Sequence, residues 1–261
     1  MFSLKEFMAV LEEFAPLELS KKMIENGSYD NSGIIANCHQ NVESVLFALD
    51  LTVSVVDCAL EKGCDTIVTH HPAIYNPIKS LDINGQTGAI TKAVANDINI
   101  ISMHLNLDVA KDGIDACLCF GLGGKNARII DLIDQNHGYG READVEQMNV
   151  EKFVQNIKEE FGSEKIICYG NNAVKKIASF CGGGASHALN AVQSGQSLAD
   201  TIITSDMAHH ELLSLVTMGK NVVLIPHYVS ENYGFNKFYH LIWKKIDGKV
   251  RGYYFTDKRL I

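Results

Sequence analysis

One stretch of this chain is written twice, and that repetition constrains the fold more than any other feature. VESVLFALDLTVSVVDCALEKGCDTIVTHH, starting at Val42, runs parallel to VKKIASFCGGGASHALNAVQSGQSLADTIITSD, starting at Val174. Each copy reads as strand, turn, helix, strand, with the second strand spelled D-T-I-V-T and then D-T-I-I-T. Further on, INIISMHLNLD aligns with NVVLIPHYVSE, so a strand ends in histidine and a carboxylate follows four positions later: His104 and Asp108, then His227 and Glu231. Short β-branched runs alternate with helical patterns, the signature of mostly parallel sheets covered by helices. The expected strands are 45–49, 66–68, 98–102, 176–180, 201–203 and 222–225. The expected helices are 52–62, 88–96, 149–161, 186–195 and 207–218, after an amphipathic start in MFSLKEFMAVLEEF. The polar, glycine-bearing segment 134–144 is the expected crossover between two α/β units.

Composition narrows the function classes. At 261 residues and 46% hydrophobic content the chain can bury one large core or two small ones. No run approaches the roughly 18 apolar residues of a membrane span, and the acidic residues in the first helix argue against a signal peptide. Seven scattered cysteines, an odd number, read as reduced thiols of a cytoplasmic protein. Cys117 and Cys119 form a C-x-C with no second pair, which does not make a zinc–thiolate site. The net charge of −8 supplies no concentrated cationic surface, so nucleic acid is not an expected partner.

Imidazoles and carboxylates concentrate where the strands end, the place where open α/β sheets collect functional groups. His70 and His71 follow DTIVT, His104 and Asp108 follow INIIS, and His227 and Glu231 follow VVLI. Nitrogen and oxygen donors without thiolate suit zinc, manganese, iron, cobalt or nickel better than calcium. Adjacent side chains on extended backbone point to opposite sides, so His70 and His71 suit two neighbouring ions better than one. Asp108 and Glu231 would bridge or balance such a pair, and Pro72 stiffens the loop that presents it. His39, His137, His187 and His240 read as ordinary polar groups. His209, His210 and Glu211 lack the second histidine of H-E-x-x-H, because Ser214 stands there. CGGGA (181–185) opens a helix after a strand; anion binding and tight strand-to-helix packing both explain it. Asp206 reads as a helix cap.

With these residues in view, the chain resembles the GTP cyclohydrolase 1 type 2 homolog family, the Nif-like or Ngg-interacting-factor-like proteins. The matching stretches are YDNSGI (29–34), FALD (47–50), GCDTIVTHHP (63–72), HLNLD (104–108), GYGR (138–141), CGGGA (181–185), DTIITSD (200–206) and PHYVSE (226–231). The resemblance implies a dinuclear metal site on His70, His71, Asp108, His227 and Glu231, with His104 a near neighbour. It implies two interlinked α/β domains: 1–130, completed by 230–261, and 131–229. It also implies a homohexameric toroid. The chain departs from the family's T-G-D at Thr204-Ser205-Asp206, from G-H-Y at Pro226-His227-Tyr228, and after GYGR at Glu142-Ala143-Asp144.

The expected activity is metal-assisted hydrolysis of a small nucleotide-like or phosphorylated substrate, with His104 or Glu231 moving protons. The rival reading is a metal-binding assembly or regulatory module without turnover.

Overall fold

The computed structural model describes residues 2–261. It divides into two compact units, the first running up to Leu107 with Phe235–Thr256 added, the second Asp108–Gly234 with Asp257–Ile261. The chain passes from one unit to the other after Leu107, Gly234 and Thr256, where the sequence reading expected 1–130 completed by 230–261 and 131–229.

In chain order the elements up to the first boundary are β1 (Phe2–Ser3), α1 (Leu4–Phe14), α2 (Leu17–Glu25), β2 (Gly33–Ala36), β3 (Asn41–Val42), β4 (Ser44–Ala48), α3 (Val53–Lys62), β5 (Thr66–Thr69), α4 (Gly88–Ala95), β6 (Asn99–Ser102) and α5 (Leu105–Asp108). Then come α6 (Ile114–Gly121), β7 (Lys125–Leu132), β8 (Gly138–Met148), α7 (Val150–Phe161), β9 (Ile167–Tyr169), β10 (Val174–Ser179), α8 (Ala185–Gln193), β11 (Thr201–Thr204), α9 (His209–Thr217), β12 (Asn221–Leu224), α10 (His227–Ile246) and β13 (Arg251–Phe255). Local chemistry sets several ends. Ser3 and Glu6 form a capping box at α1, and Thr52 accepts from the Val55 N–H to open α3. Gly63, at φ +63°, closes α3 in the left-handed region.

The first unit carries a five-stranded sheet in the order β13-β4-β5-β6-β2, parallel except for β2. Every residue of β4, β5 and β6 is buried, as expected of parallel strands covered on both faces. Alternation sorts the side chains: Leu46 and Ala48 pack with Val55, Val56 and Ala59 of α3 and Ile90 and Ala93 of α4. Phe47 points the other way, onto Phe235, Phe238 and Trp243 of α10.

The second unit carries a six-stranded sheet in the order β7-β8-β10-β11-β12-β9. Its parallel core is β10-β11-β12, with Ala178, Phe180, Ile202 and Val222 packed against Ala188, Ala191 and Leu215 of α8 and α9. The expected crossover at 134–144 is instead the turn of an antiparallel hairpin and the first part of its second strand, β8. β8 pairs with β7 on one side and β10 on the other, which satisfies its backbone despite a polar, glycine-containing sequence.

The repeat is visible in both sheets as β4-α3-β5-α4-β6 and β10-α8-β11-α9-β12, and one polar network recurs at the amino ends of the strands. In the first unit Asp65 accepts from the Glu43 and Ser44 N–H groups and from the Thr66 hydroxyl, while Asn99 donates to Thr66. In the second, Asp200 accepts from the Lys175 and Lys176 N–H groups and the Thr201 hydroxyl, while Asn221 donates to Thr201. This network corrects the repeat alignment by one residue. Thr66 pairs with Asn99 and Thr201 with Asn221, so Asn99 and Asn221 are equivalent. His227 therefore corresponds to Leu105, the first residue of α5, and His104 to Pro226.

Candidate metal centre

In the first unit β4, β5 and β6 finish in register, Ala48 beside Thr69 beside Ser102. The residues just beyond these ends are Asp50, His70, His71 and His104. One ring nitrogen of each histidine lies within 4.8 Å of the other two, and the ring centroids are 4.9, 5.3 and 5.8 Å apart. Each ring is held from behind through Nδ1. His70 Nδ1 lies 2.8 Å from the Met103 carbonyl oxygen, His71 Nδ1 lies 2.7 Å from Asp50 Oδ1, and His104 Nδ1 lies 2.7 Å from Asp30 Oδ1. A carbonyl or an ionised carboxylate only accepts, so Nδ1 carries the proton and the lone pair sits on Nε2. Burial pushes the Asp30 carboxyl up, but hydrogen bonds from His104, Ser20 and Ser32 outweigh it and hold the pKa at about 2. That keeps Asp30 an acceptor and His104 in this tautomer.

In the second unit β10, β11 and β12 also end together, and Cys181-Gly182, Ser205-Asp206 and Pro226-His227 follow them. His227 Nδ1 lies 2.5 Å from Asp206 Oδ2, and His227 Nε2 lies 3.0 Å from Glu231 Oε2, one turn on along α10. Asp206 is thus a partner of His227 and not a helix cap. Helix α9 opens three residues later, and the N–H of Ala208, the residue that caps it, donates to Glu211. Gly182 sits at φ +56°, where a Cβ would collide with the Glu231 carboxylate and come within 3.3 Å of His227 Nε2. The turn is pinned by the Cys181 N–H donating to Asp115 Oδ1 at 3.2 Å and by the Tyr139 hydroxyl donating to the Cys181 carbonyl. Asp115 in turn accepts from Arg141 at 2.9 Å. The Cys181 N–H is therefore engaged within the protein, which favours the packing explanation of CGGGA.

The electrostatics of the second unit suit a cation. Asp108 and Glu231 are 5% and 3% exposed. Burial first, and then the charges of Asp108, Asp115 and Glu231, push the Cys181 thiol well above the usual thiol range. The Tyr139 hydroxyl is raised by burial and the same carboxylates. The first unit thus offers the imidazoles of His70, His71 and His104 turned to present Nε2, and the second offers that of His227 with the buried carboxylates of Asp108 and Glu231. Those are the features a nitrogen- and oxygen-ligated divalent metal requires, including the acceptor behind each histidine.

The histidines read as ordinary have structural duties. His39 Nε2 lies 3.1 Å from the Asp65 carbonyl oxygen, His137 Nδ1 is 2.7 Å from Asp134, and His187 Nδ1 is 2.7 Å from Asp131. His240 packs on the Tyr239 ring. Residue-by-residue reading missed Asp30 and Asp50, although both lie inside stretches that carry the family resemblance. No helix among the described residues is long and apolar enough to cross a membrane.

Residues 2–257 match the family model for Duf34/NIF3 (NGG1p interacting factor 3), and the chain belongs to that family. A Clostridium perfringens protein named GTP cyclohydrolase 1 type 2 homolog is 31% identical over 235 residues, covering 87% of this chain and 86% of its own length. Its Clostridium acetobutylicum namesake is 30% identical over 236 residues, covering 87% and 84%. Among solved structures, a Staphylococcus aureus hypothetical protein superposes with a TM-score of 0.84 at 29% identity, covering 98% of this chain and 97% of that one. A Bacillus cereus protein related to NIF3 reaches a TM-score of 0.87 over the same shares at 20% identity, a likeness of fold.

Proposed function

We propose that this member of the Duf34/NIF3 family is a metal-dependent hydrolase acting on a small nucleotide-like or phosphorylated substrate, with His70, His71, Asp108, His227 and Glu231 holding two divalent ions. The observation that carries the reading is the common orientation of the imidazoles. His70, His71 and His227 each have Nδ1 against an acceptor, which leaves Nε2 as the donor nitrogen. A paired divalent centre supplies a lowered pKa for water and polarises a phosphoryl or carbonyl oxygen. The Met103 carbonyl, Asp50 and Asp206 fix the three rings so that binding does not have to order them. Glu231 offers a carboxylate oxygen beside His227 Nε2. His104, fixed by Asp30, can accept a proton at Nε2 and return it, which suits a general base or acid. The relatives' shared name supports a nucleotide-like substrate, and the resemblance supports self-assembly into a ring.

The test is metal analysis joined to a substrate screen. Elemental analysis of the purified chain is expected to find two divalent ions, with fewer in His71→Ala and Glu231→Ala. A panel of nucleotides and phosphoesters is expected to reveal hydrolysis that both variants lose. No more than one tightly held ion per chain refutes the two-ion centre. Activity equal in both variants refutes the hydrolase at this site, and metal retention with no turnover on any substrate favours a non-catalytic metal-binding module.

A further inference from the structure

Beside the three histidines of the first unit stand two tyrosines whose exposure the fold does not require. Tyr29 lies in the loop after α2 and Tyr75 in the loop after β5, and their rings meet edge to face at 4.8 Å and 64°. A core aromatic pair would be covered, yet Tyr29 is 47% exposed and Tyr75 48%. The pair is nonetheless fixed. The Asn31 side chain donates to the Ile74 carbonyl at 2.6 Å, tying one loop to the other. The Tyr75 ring centroid is 6.3 Å from that of His104, nearly perpendicular at 84°. The segment that carries Tyr29 also orients His104, since Asp30 accepts from its Nδ1 and the Ser32 hydroxyl accepts from its backbone N–H at 3.1 Å. Four consecutive residues, Tyr29 to Ser32, thus hold an imidazole and an exposed aromatic surface in one frame.

We infer that Tyr29 and Tyr75 form a stacking subsite for a planar heteroaromatic ring of the substrate, placing the rest of that molecule at His70, His71 and His104. Half-exposed tyrosine faces offer a π surface without a fixed set of hydrogen-bond donors. They favour a flat ring of delocalised electrons over an aliphatic group and discriminate weakly among such rings. The inference rests on the proposed function in taking the histidine cluster as the reacting end, and it adds the class of group bound beside it.

Calorimetric titration of the full chain, as purified, with guanosine monophosphate and with ribose 5-phosphate separates ring recognition from phosphate recognition. Guanosine monophosphate is expected to bind at least roughly tenfold tighter than ribose 5-phosphate. Tyr75→Leu and Tyr29→Leu are each expected to weaken it by about tenfold, Tyr75→Phe to keep it, and none to alter ribose 5-phosphate. Metal content measured on the same samples is expected to be unchanged. Equal binding of the two probes, no binding of guanosine monophosphate, or indifference of its binding to both leucine variants overturns the subsite. If the wild-type chain holds no metal, the proposed centre fails, while the difference between the probes still decides the subsite.

Discussion

Replacing Gly182 with alanine isolates the contact that supports the candidate ligands His227 and Glu231. Two costs combine there. At φ +56° a Cβ carries a left-handed penalty of about 1 kcal/mol. The same Cβ falls on the Glu231 carboxylate and near His227 Nε2, and overpacking of that kind costs about 1–3 kcal/mol. Gly182→Ala is therefore expected to lose about 2–4 kcal/mol. Gly195 has φ +74° and nothing within 4 Å of its Cβ position, so Gly195→Ala should lose only about 1 kcal/mol. Gly183 has neither a left-handed φ nor a neighbour within 4 Å, and its alanine variant should lie within about 0.5 kcal/mol of wild type. Urea unfolding measures the series, with elemental analysis on the same preparations. Metal retention should fall at least roughly tenfold in Gly182→Ala, as when a ligand's support is removed, and stay whole in the other two. A Gly182→Ala chain that loses no more stability than Gly195→Ala and keeps its metal would refute the reasoning.

Asp206→Ala should weaken metal binding by about 10–100-fold, read by chelator competition, because His227 loses the acceptor on Nδ1; the Asp206 side chain is 69% exposed, so unfolding should barely change. The Asp30 carboxyl is held at about 2, below its ordinary 3.8, so its contribution is present above pH 4 and lost as pH falls from 4 towards 2. The loss is about 2 kcal/mol, and acid unfolding of wild type should steepen there while Asp30→Asn stays flatter. At Gly252 a Cβ would overlap the Trp243 indole. Gly252→Ala should therefore cost about 1–3 kcal/mol and shift the emission of this chain's single tryptophan.

The buried strands were legible because apolar β-branched runs have few alternatives. The six expected ones appear as β4, β5, β6, β10, β11 and β12, within two residues at each end. The flanking strands were not. Ile167 and Tyr169 of β9 are exposed, and so is most of the first half of β7. β8 reads as a loop until its two partners are known, since pairing and not hydrophobicity makes it a strand. The histidines at strand ends were visible as residues, but the acceptors behind them were not. Asp30 lies 74 positions from His104, and Asp50 and Asp206 each lie 21 positions from His71 and His227. Only the folded sheet makes those neighbours. The one-residue slip in the repeat has the same origin: matching His104 with His227 follows side-chain identity, whereas Asn99 and Asn221 follow the ladder.

The recurring Asp–Thr–Asn network gives the two ends of each strand different freedoms. At the amino ends, Asp65, Thr66 and Asn99 reappear as Asp200, Thr201 and Asn221, because the Asp and the Asn of each copy bond backbone that neither copy can do without and the Thr links the two. At the carboxyl ends the same scaffold positions have traded occupations. Asp50 and His71, the acceptor and its donor ring in one copy, are Gly182 and Asp206 in the other, where the acceptor now serves a ring one strand over. An ancestor duplicated in this way could keep its register while its chemistry was rewritten, since the lock and the workbench occupy opposite ends of the same four-residue strand.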